Sequence, residues 1–158
     1  MFDWKRYIRL SPLLLAALLV LLLTGSASAS GKPLNVTMDW RNVVPEGSGD
    51  PNILGDAVLN LHSGKSQLCF EIRAIFFYSA STEGYAAIYS GSVGQNGPVV
   101  LDIGQLNPPF NSYTSSGCVM AASSLLKSIQ QNPQGYYLQV VTPSHPNGAI
   151  RGQLMNSR

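Results

Sequence analysis

Alternating apolar and polar residues form short segments along most of the chain. The clearest segment is 66–74, in which every second side chain from Leu68 to Ala74 is apolar and the residues between them are mostly polar. Alternation with a period of two predicts a β-strand whose apolar face lies on a core. The apolar segment 57–61 precedes it, and the turn residues 63–65 separate the two. We therefore expect a β-hairpin here.

Further strands are predicted wherever a similar segment lies between turn residues, at 32–40, 85–89, 98–103, 113–120, 135–142 and 149–154. The last two flank a loop that contains Asn147 and Gly148, a dipeptide typical of hairpin turns. One helix is predicted over 123–131, with a serine as N-cap and Asn132-Pro133 as its stop.

This succession of elements predicts an all-β fold. Seven or eight short strands accompany a single short helix, and strands and helices do not alternate. The expected architecture is an antiparallel, Greek-key-like β-sandwich or flattened barrel with one short helix.

The N-terminal segment has the three parts of an export signal. Basic residues precede an apolar run over 10–23, and the small residues Ala27 and Ala29 follow it. We predict a signal peptide over 1–29, cleaved after Ala29, and a β domain over 30–158. The alternative is an uncleaved membrane anchor, although the run is shorter than the roughly 20 residues that span a bilayer.

The net charge of +2 belongs to this N-terminal segment. Without residues 1–29, the chain has seven basic and seven acidic residues. This balance argues against nucleic acid as a partner. Because 45% of the residues are apolar, a disordered tail is also excluded.

Cys69 and Cys118 are the only cysteines. An exported chain meets an oxidising compartment, which favours one disulfide between them. The alternative is a pair of buried thiols, which pack as small apolar side chains.

A set of motifs covers nearly the whole of 30–158. The most specific is the terminal Gly-Ala-Ile-Arg-Gly-Gln-Leu at 148–154, and the others are Gly49-Asp50-Pro51, Leu68-Cys69-Phe70, Gly91–Val100, Ser116-Gly117-Cys118-Val119 and Asn132–Tyr137. Together they resemble the CHRD domain family. The resemblance implies an exported all-β domain of mostly undefined molecular activity, and it implies a disulfide between the two cysteines.

The same resemblance implies histidines that this chain lacks. Members of the family usually carry a His-Ile-His before the glycine loop and a third histidine in the last hairpin, where this chain has Ala87, Tyr89 and Val141. Imidazoles at those positions could bind a transition metal, whereas alanine and valine offer no ligand atom and tyrosine is a poor ligand. We therefore expect no metal site and no cofactor.

The other polar residues give weak signals for chemistry. His62 and His145 are expected to be solvated loop residues. A calcium site with Asp50 and Asp56 is an alternative, but their spacing matches no recognised calcium loop. No serine lies in a Gly-x-Ser-x-Gly motif, so we do not expect an enzyme.

Arg151 is a charged residue inside an otherwise apolar strand. A guanidinium in a strand needs acceptors, so we expect a structural role in which Arg151 pairs with a carboxylate such as Glu71 or with backbone carbonyls. Anion binding is the alternative. Asn147 and Gly148 are likewise expected to be structural residues.

Aromatic residues form the predicted partner surface: Phe76, Phe77, Tyr78, Tyr85 and Tyr89. Because 76–78 are consecutive, both faces of that segment carry rings. Either both faces are covered within the domain, or one face docks on a partner.

We therefore expect an exported, non-catalytic module that acts by surface contact in the periplasm, the cell envelope or a membrane-associated assembly. The expected partner is a protein, and an uncleaved segment 1–29 would add association with a membrane. A metal-binding or redox β-barrel domain is the alternative function.

Overall fold

A computed structural model describes residues 32–76, 83–106 and 112–156, with the side chains of Phe76, Ser112 and Tyr113 left out of the description. Within these ranges, nine strands and one α-helix follow in chain order: β1 Leu34–Asp39, β2 Ile53–His62, β3 Gln67–Phe76, β4 Gly84–Ser90, β5 Val99–Leu106, β6 Ser112–Met120, α1 Ser123–Gln131, β7 Tyr136–Thr142, β8 His145–Gln153 and β9 Met155–Asn156.

The strands form one antiparallel sheet in the order β5-β4-β7-β8-β1-β2-β3-β6, and β9 pairs with β1. The two ends of this order, β5 and β6, approach each other, so the sheet curls into a nearly closed barrel. On this nearly closed path the connections from β3 to β4 and from β6 to β7 each pass two strands, which is a Greek-key feature. The prediction of an antiparallel all-β barrel or sandwich is confirmed.

The core fills the inside of the barrel, and period-two alternation decides which residues reach it. On β1, Leu34, Val36 and Met38 are buried while the residues between them are exposed. The helix α1 contributes two buried side chains, Leu126 and Ile129, to the same core. It lies against the turn between β2 and β3 and covers one end of the barrel.

Two local predictions are wrong. No serine side chain caps the helix: the cap position is Ala122, and the Ser123 hydroxyl donates to the Ser63 carbonyl instead. The turn of the last hairpin is Pro143-Ser144, because Thr142 already pairs with His145.

Asn147 and Gly148 lie within β8 rather than in that turn. Gly148 has a φ of 131°. Glycine is favoured at such a positive φ, which occurs in β-bulges as well as in turns. A side chain there would also meet the Gln139 side chain and Val43 at 2.9 Å. The glycine therefore serves an irregular stretch of β8 and the close packing of residues against it.

Cys69 and Cys118 form a disulfide, as predicted. They lie directly opposite each other on β3 and β6, with Cα atoms 4.0 Å apart. Their side chains point outward, because Leu68 and Ile72, at the alternate positions of β3, are buried.

Segment 1–29, Phe77 and Tyr78 lie outside the described residues, so the predicted signal peptide and part of the predicted aromatic surface stay predictions. Among the described helices, none is long and apolar enough to cross a membrane.

Removing the disulfide should destabilise the domain without changing its fold. The cysteines are 49 residues apart in sequence, so the chain-entropy model gives a loss of at most about 4 kcal/mol in the free energy of unfolding for the Cys69→Ala/Cys118→Ala variant. Denaturant titration with and without reductant measures it. Two free thiols per denatured, unreduced chain would contradict the disulfide itself.

Candidate functional site

The outer face of β4, β7 and β8 carries aromatic and polar side chains that are nevertheless buried. Tyr137 and Gln139 on β7 alternate with the core residues Leu138 and Val140, so they point away from the core. Yet Tyr137 is 1% exposed and Gln139 is 6% exposed. Something outside the sheet must therefore cover this face.

Two loops supply that cover. The segment between β1 and β2 places Val43, which is fully buried, against Gly148. The glycine loop, defined here as residues 91–97 between β4 and β5, lies over Arg151 and Tyr137. Val43, Ala87 and Tyr137 are buried apolar residues outside the main core cluster, so the covered face is a small second core.

Arg151 lies at the centre of this second core and is 1% exposed. Its guanidinium donates to the Ser92 carbonyl at 3.0 Å, to the Gln95 carbonyl at 2.8 Å and to Asn96 Oδ1 at 3.3 Å. These acceptors are neutral, and no described carboxylate forms an ion pair with Arg151. Of the two predicted partner types, backbone carbonyls are present and Glu71, which is exposed on β3, is not used.

An aromatic stack holds the guanidinium from its other side. The Arg151 guanidinium lies 3.4 Å from the centroid of the Tyr137 ring, and the Tyr89 ring stacks on Tyr137 with centroids 5.1 Å apart and an interplanar angle of 7°. Because β7 lies between β4 and β8, the Tyr137 ring lies between Tyr89 and Arg151. Stacking of this kind stabilises a desolvated cation.

Further hydrogen bonds fix both ends of the glycine loop. Gln153 Nε2 lies 2.7–2.8 Å from the carbonyl oxygens of Gly91, Gln134 and Tyr136, which share its two N–H donors. At the other end, the Gly97 amide donates to the Tyr137 hydroxyl. A side chain at Gly97 would lie 1.7 Å from the Ser90 carbonyl oxygen, so only glycine allows this approach of loop and strand.

The two loops are also joined to each other. Asn96 Nδ2 donates to the Val44 carbonyl at 3.2 Å. Asn42 Nδ2 donates to the Arg151 carbonyl at 3.2 Å, which bonds the segment between β1 and β2 to β8 as well. Between the loops lies a cleft of about 610 Å³, with Arg151 and Gln153 at its base. Val93, at the tip of the glycine loop, lines the cleft and is 78% exposed.

Burial and neighbouring groups shift three pKa values here. Burial lowers the pKa of Arg151, which stays a cation because arginine titrates so far above neutrality. Burial, with smaller contributions from Tyr137 and Asp102, raises the pKa of Tyr89. A hydrogen bond to the Asp102 carboxylate raises the pKa of Tyr85.

The predicted aromatic surface is only partly described, and its described members separate. Tyr89 is half-buried in the stack with Tyr137, whereas Tyr85 is 41% exposed and bonds to Asp102. Phe76 ends β3, several strands away from β4 in the sheet order.

The three positions at which the resemblance implies histidines share the outer face and surround Gln139. They are occupied by Ala87, Tyr89 and Val141. Gln139 Nε2 donates to the Asn147 carbonyl, and its Oε1 accepts no hydrogen bond from the described residues. Within the described ranges, no three residues of the His, Cys, Asp and Glu types are grouped as metal ligands.

The prediction of a solvated loop residue at His145 is wrong, because His145 is half-buried and begins β8. Its Nδ1 lies 3.6 Å from Asp50 and 3.3 Å from the Ser144 hydroxyl. Asp56, the other residue of the calcium alternative, pairs with Arg73 at 3.0 Å. The structure thus places Asp50 beside His145 and Asp56 in an ion pair with Arg73, so the two carboxylates contact different partners.

Sequence reasoning missed Tyr137, Gln153 and Asn96 as partners of this site. Two patterns in the sequence indicate some of them. On β7, apolar residues alternate with Tyr137 and Gln139, and on β8 they alternate with Arg151 and Gln153. Each pattern indicates a second packed face on its strand.

Arg151→Met should cost about 3 kcal/mol or more in the free energy of unfolding, because it leaves the Ser92 and Gln95 carbonyls without a donor inside a covered site. Arg73→Met is the matched control: it breaks an exposed ion pair, so its cost should stay below about 1 kcal/mol. Equal losses in denaturant titrations of the two variants would contradict the role of Arg151.

Burial of Tyr89 predicts a pH dependence of stability. Because its pKa is raised in the folded state, the native chain keeps a proton that the unfolded chain releases above about pH 10. The free energy of unfolding should therefore fall as the pH rises through this range, and it should fall less steeply in Tyr89→Phe. Chemical unfolding between neutral and alkaline pH measures both slopes, and identical slopes would refute the prediction.

Comparison with known proteins identifies the family but no close relative. Searches of curated proteins and of solved structures gave no significant match. A family model described as CHRD domain matches residues 34–154, which includes β1, the glycine loop and Arg151. The match covers well over half of the chain, and this protein therefore belongs to the CHRD domain family.

Proposed function

We propose that this chain is an exported, non-catalytic interaction domain that binds a protein partner through the loop surface, defined here as Val93 and Gly94 together with the facing residues Val44 and Glu46. The observation that carries the proposal is the buried Arg151 guanidinium, which bonds to the glycine loop from below and leaves Val93 exposed above it.

Preorganisation is the physical advantage of this arrangement. A free loop loses conformational entropy when it binds, and this cost is subtracted from the affinity. Here Arg151, Gln153 and Asn96 bond the loop to the rest of the domain before any partner arrives. An apolar tip beside a cleft also suits a contact in which Val93 is covered at the centre and polar groups form the rim.

Two observations support a non-catalytic role. CHRD is a family of non-enzymatic domains. Among the described residues, the closest approach to a hydrolytic triad is Ser144, His145 and Asp50, but both the hydroxyl and the carboxylate lie against the same ring nitrogen, Nδ1. A triad needs the carboxylate on one nitrogen and the nucleophile on the other.

Export is supported by the disulfide and by segment 1–29. Disulfides persist in oxidising compartments such as the periplasm and the cell surface. Basic residues, an apolar run and small residues follow one another in segment 1–29, as in export signals. The proposed location is the periplasm, the cell envelope or a membrane-associated assembly.

Site-specific photo-cross-linking in the producing cells tests the proposed surface. A photoreactive amino acid at Val93 should give discrete protein adducts, because this position would lie inside the contact. The matched control is Leu54, an exposed apolar residue on the outer face of β2, and Tyr85 tests the predicted aromatic surface.

We expect adducts at Val93 and few at Leu54. Adducts at Tyr85 alone would move the contact to the aromatic side of the domain. The absence of adducts at Val93, or equal yields at Val93 and Leu54, would contradict the proposed surface.

A further inference from the structure

The two edges of the sheet differ in how they are protected. β5 has two register shifts against β4, a positive φ of 107° at Gly104 and an exposed charge, Asp102. Bulges and charges of this kind keep an edge strand from pairing with another chain. β6 has none of them: it pairs with β3 over nine consecutive residues without a register shift, and Ser112–Met120 contains no charged residue and no proline.

The disulfide shows which backbone groups of β6 are free. In an antiparallel pair, residues whose Cα atoms lie closest do not exchange hydrogen bonds, so their N–H and C=O groups point away from the partner strand. Cys69 and Cys118 are such a pair, with Cα atoms 4.0 Å apart. By alternation, the backbone groups of Thr114, Ser116, Cys118 and Met120 point to the open edge.

The neighbouring residues agree with this assignment. Ala121, one residue beyond the strand, donates its amide to the Ser66 carbonyl on the β3 side. Within the described part of the chain, β6 pairs with no strand other than β3. The side chains of Thr114, Ser116, Cys118 and Met120 are all exposed. β5 approaches β6 across the gap of the barrel, but within the described residues the two strands form no ladder, so these backbone groups of β6 stay unpaired.

We infer that β6 pairs with the β6 strand of a second copy of this chain, antiparallel and around a two-fold axis. Such an axis places each residue of the strand opposite a residue of the same strand. Like charges across it would repel, but β6 carries none, and the seven basic and seven acidic residues beyond position 29 add no net repulsion between copies. This inference does not use the loop surface, which lies on the two loops that cover the outer face of β4, β7 and β8.

Sedimentation of the chain, purified in the form that cells accumulate, tests the pairing. The wild-type chain should show a monomer–dimer equilibrium between low micromolar and several hundred micromolar concentration. Ser116→Lys places like charges across the axis and should raise the dimer Kd by at least about tenfold. Thr37→Lys is the control, because Thr37 is exposed on β1, whose neighbours β2, β8 and β9 already pair with it; its Kd should stay within about twofold of the wild-type value.

A second variant and a second measurement locate the contact. Ser116→Pro removes an amide that points away from β3, so it should prevent pairing while leaving the fold intact. In hydrogen exchange, the amides of Thr114, Ser116 and Cys118 should become protected as the concentration rises. The Gly117 amide, which points to β3, should not change.

Three results would overturn the inference. The first is a wild-type chain that stays monomeric at the highest concentration. This result counts against the inference even if the chain binds another protein. The second is a Ser116→Lys variant that dimerises as the wild type does. The third is protection from hydrogen exchange that rises with concentration only at residues outside β6.

Discussion

The arrangement of the loops over the outer face depends on one buried cation. Arg151 is 1% exposed and forms no ion pair with a described carboxylate. A guanidinium taken out of water is costly unless its donors find acceptors. Here two loop carbonyls and one side-chain amide accept from it, and the Tyr137 ring covers its face. The glycine loop is therefore part of the solvation of this charge and not merely a connection between β4 and β5.

This constraint links the fold to the proposed function. The barrel provides the base, since β8 sets the position of Arg151 between β7 and β1. The loop in turn encloses a second core that includes Tyr137 and Val43. What the domain exposes above that core is Val93 and a cleft, a surface that can recognise a partner by shape without any reactive group. A CHRD domain in which the residues around Gln139 offer no histidine can still serve as a scaffold for recognition.

The strands were predictable from sequence because burial of one face imposes a period of two, as in β1 and β3. The disulfide was predictable because segment 1–29 is typical of an export signal and two cysteines leave one pairing, and the resemblance to the family supported it. For Arg151, the sequence predicts either a carboxylate or backbone carbonyls as the hydrogen-bond acceptor. It does not identify them, because the acceptors lie in a loop more than 50 residues earlier in the chain. The prediction of a hairpin turn at Asn147-Gly148 was wrong because a glycine with a positive φ occurs in bulges as well as in turns. Tyr89 was predicted as part of the partner surface, and its stack on Tyr137 was not predictable because the two strands become neighbours only in the folded sheet.

If Arg151 makes the glycine loop rigid, backbone ¹⁵N relaxation of residues 91–97 shows it directly. We expect order parameters of about 0.85 for the amides of Gly91, Gln95 and Gly97, the value of rigid strands. These three amides donate to Gly135, Ser92 and Tyr137 respectively. Order parameters below about 0.6 across the loop, with ordinary values in β4 and β5, would contradict it.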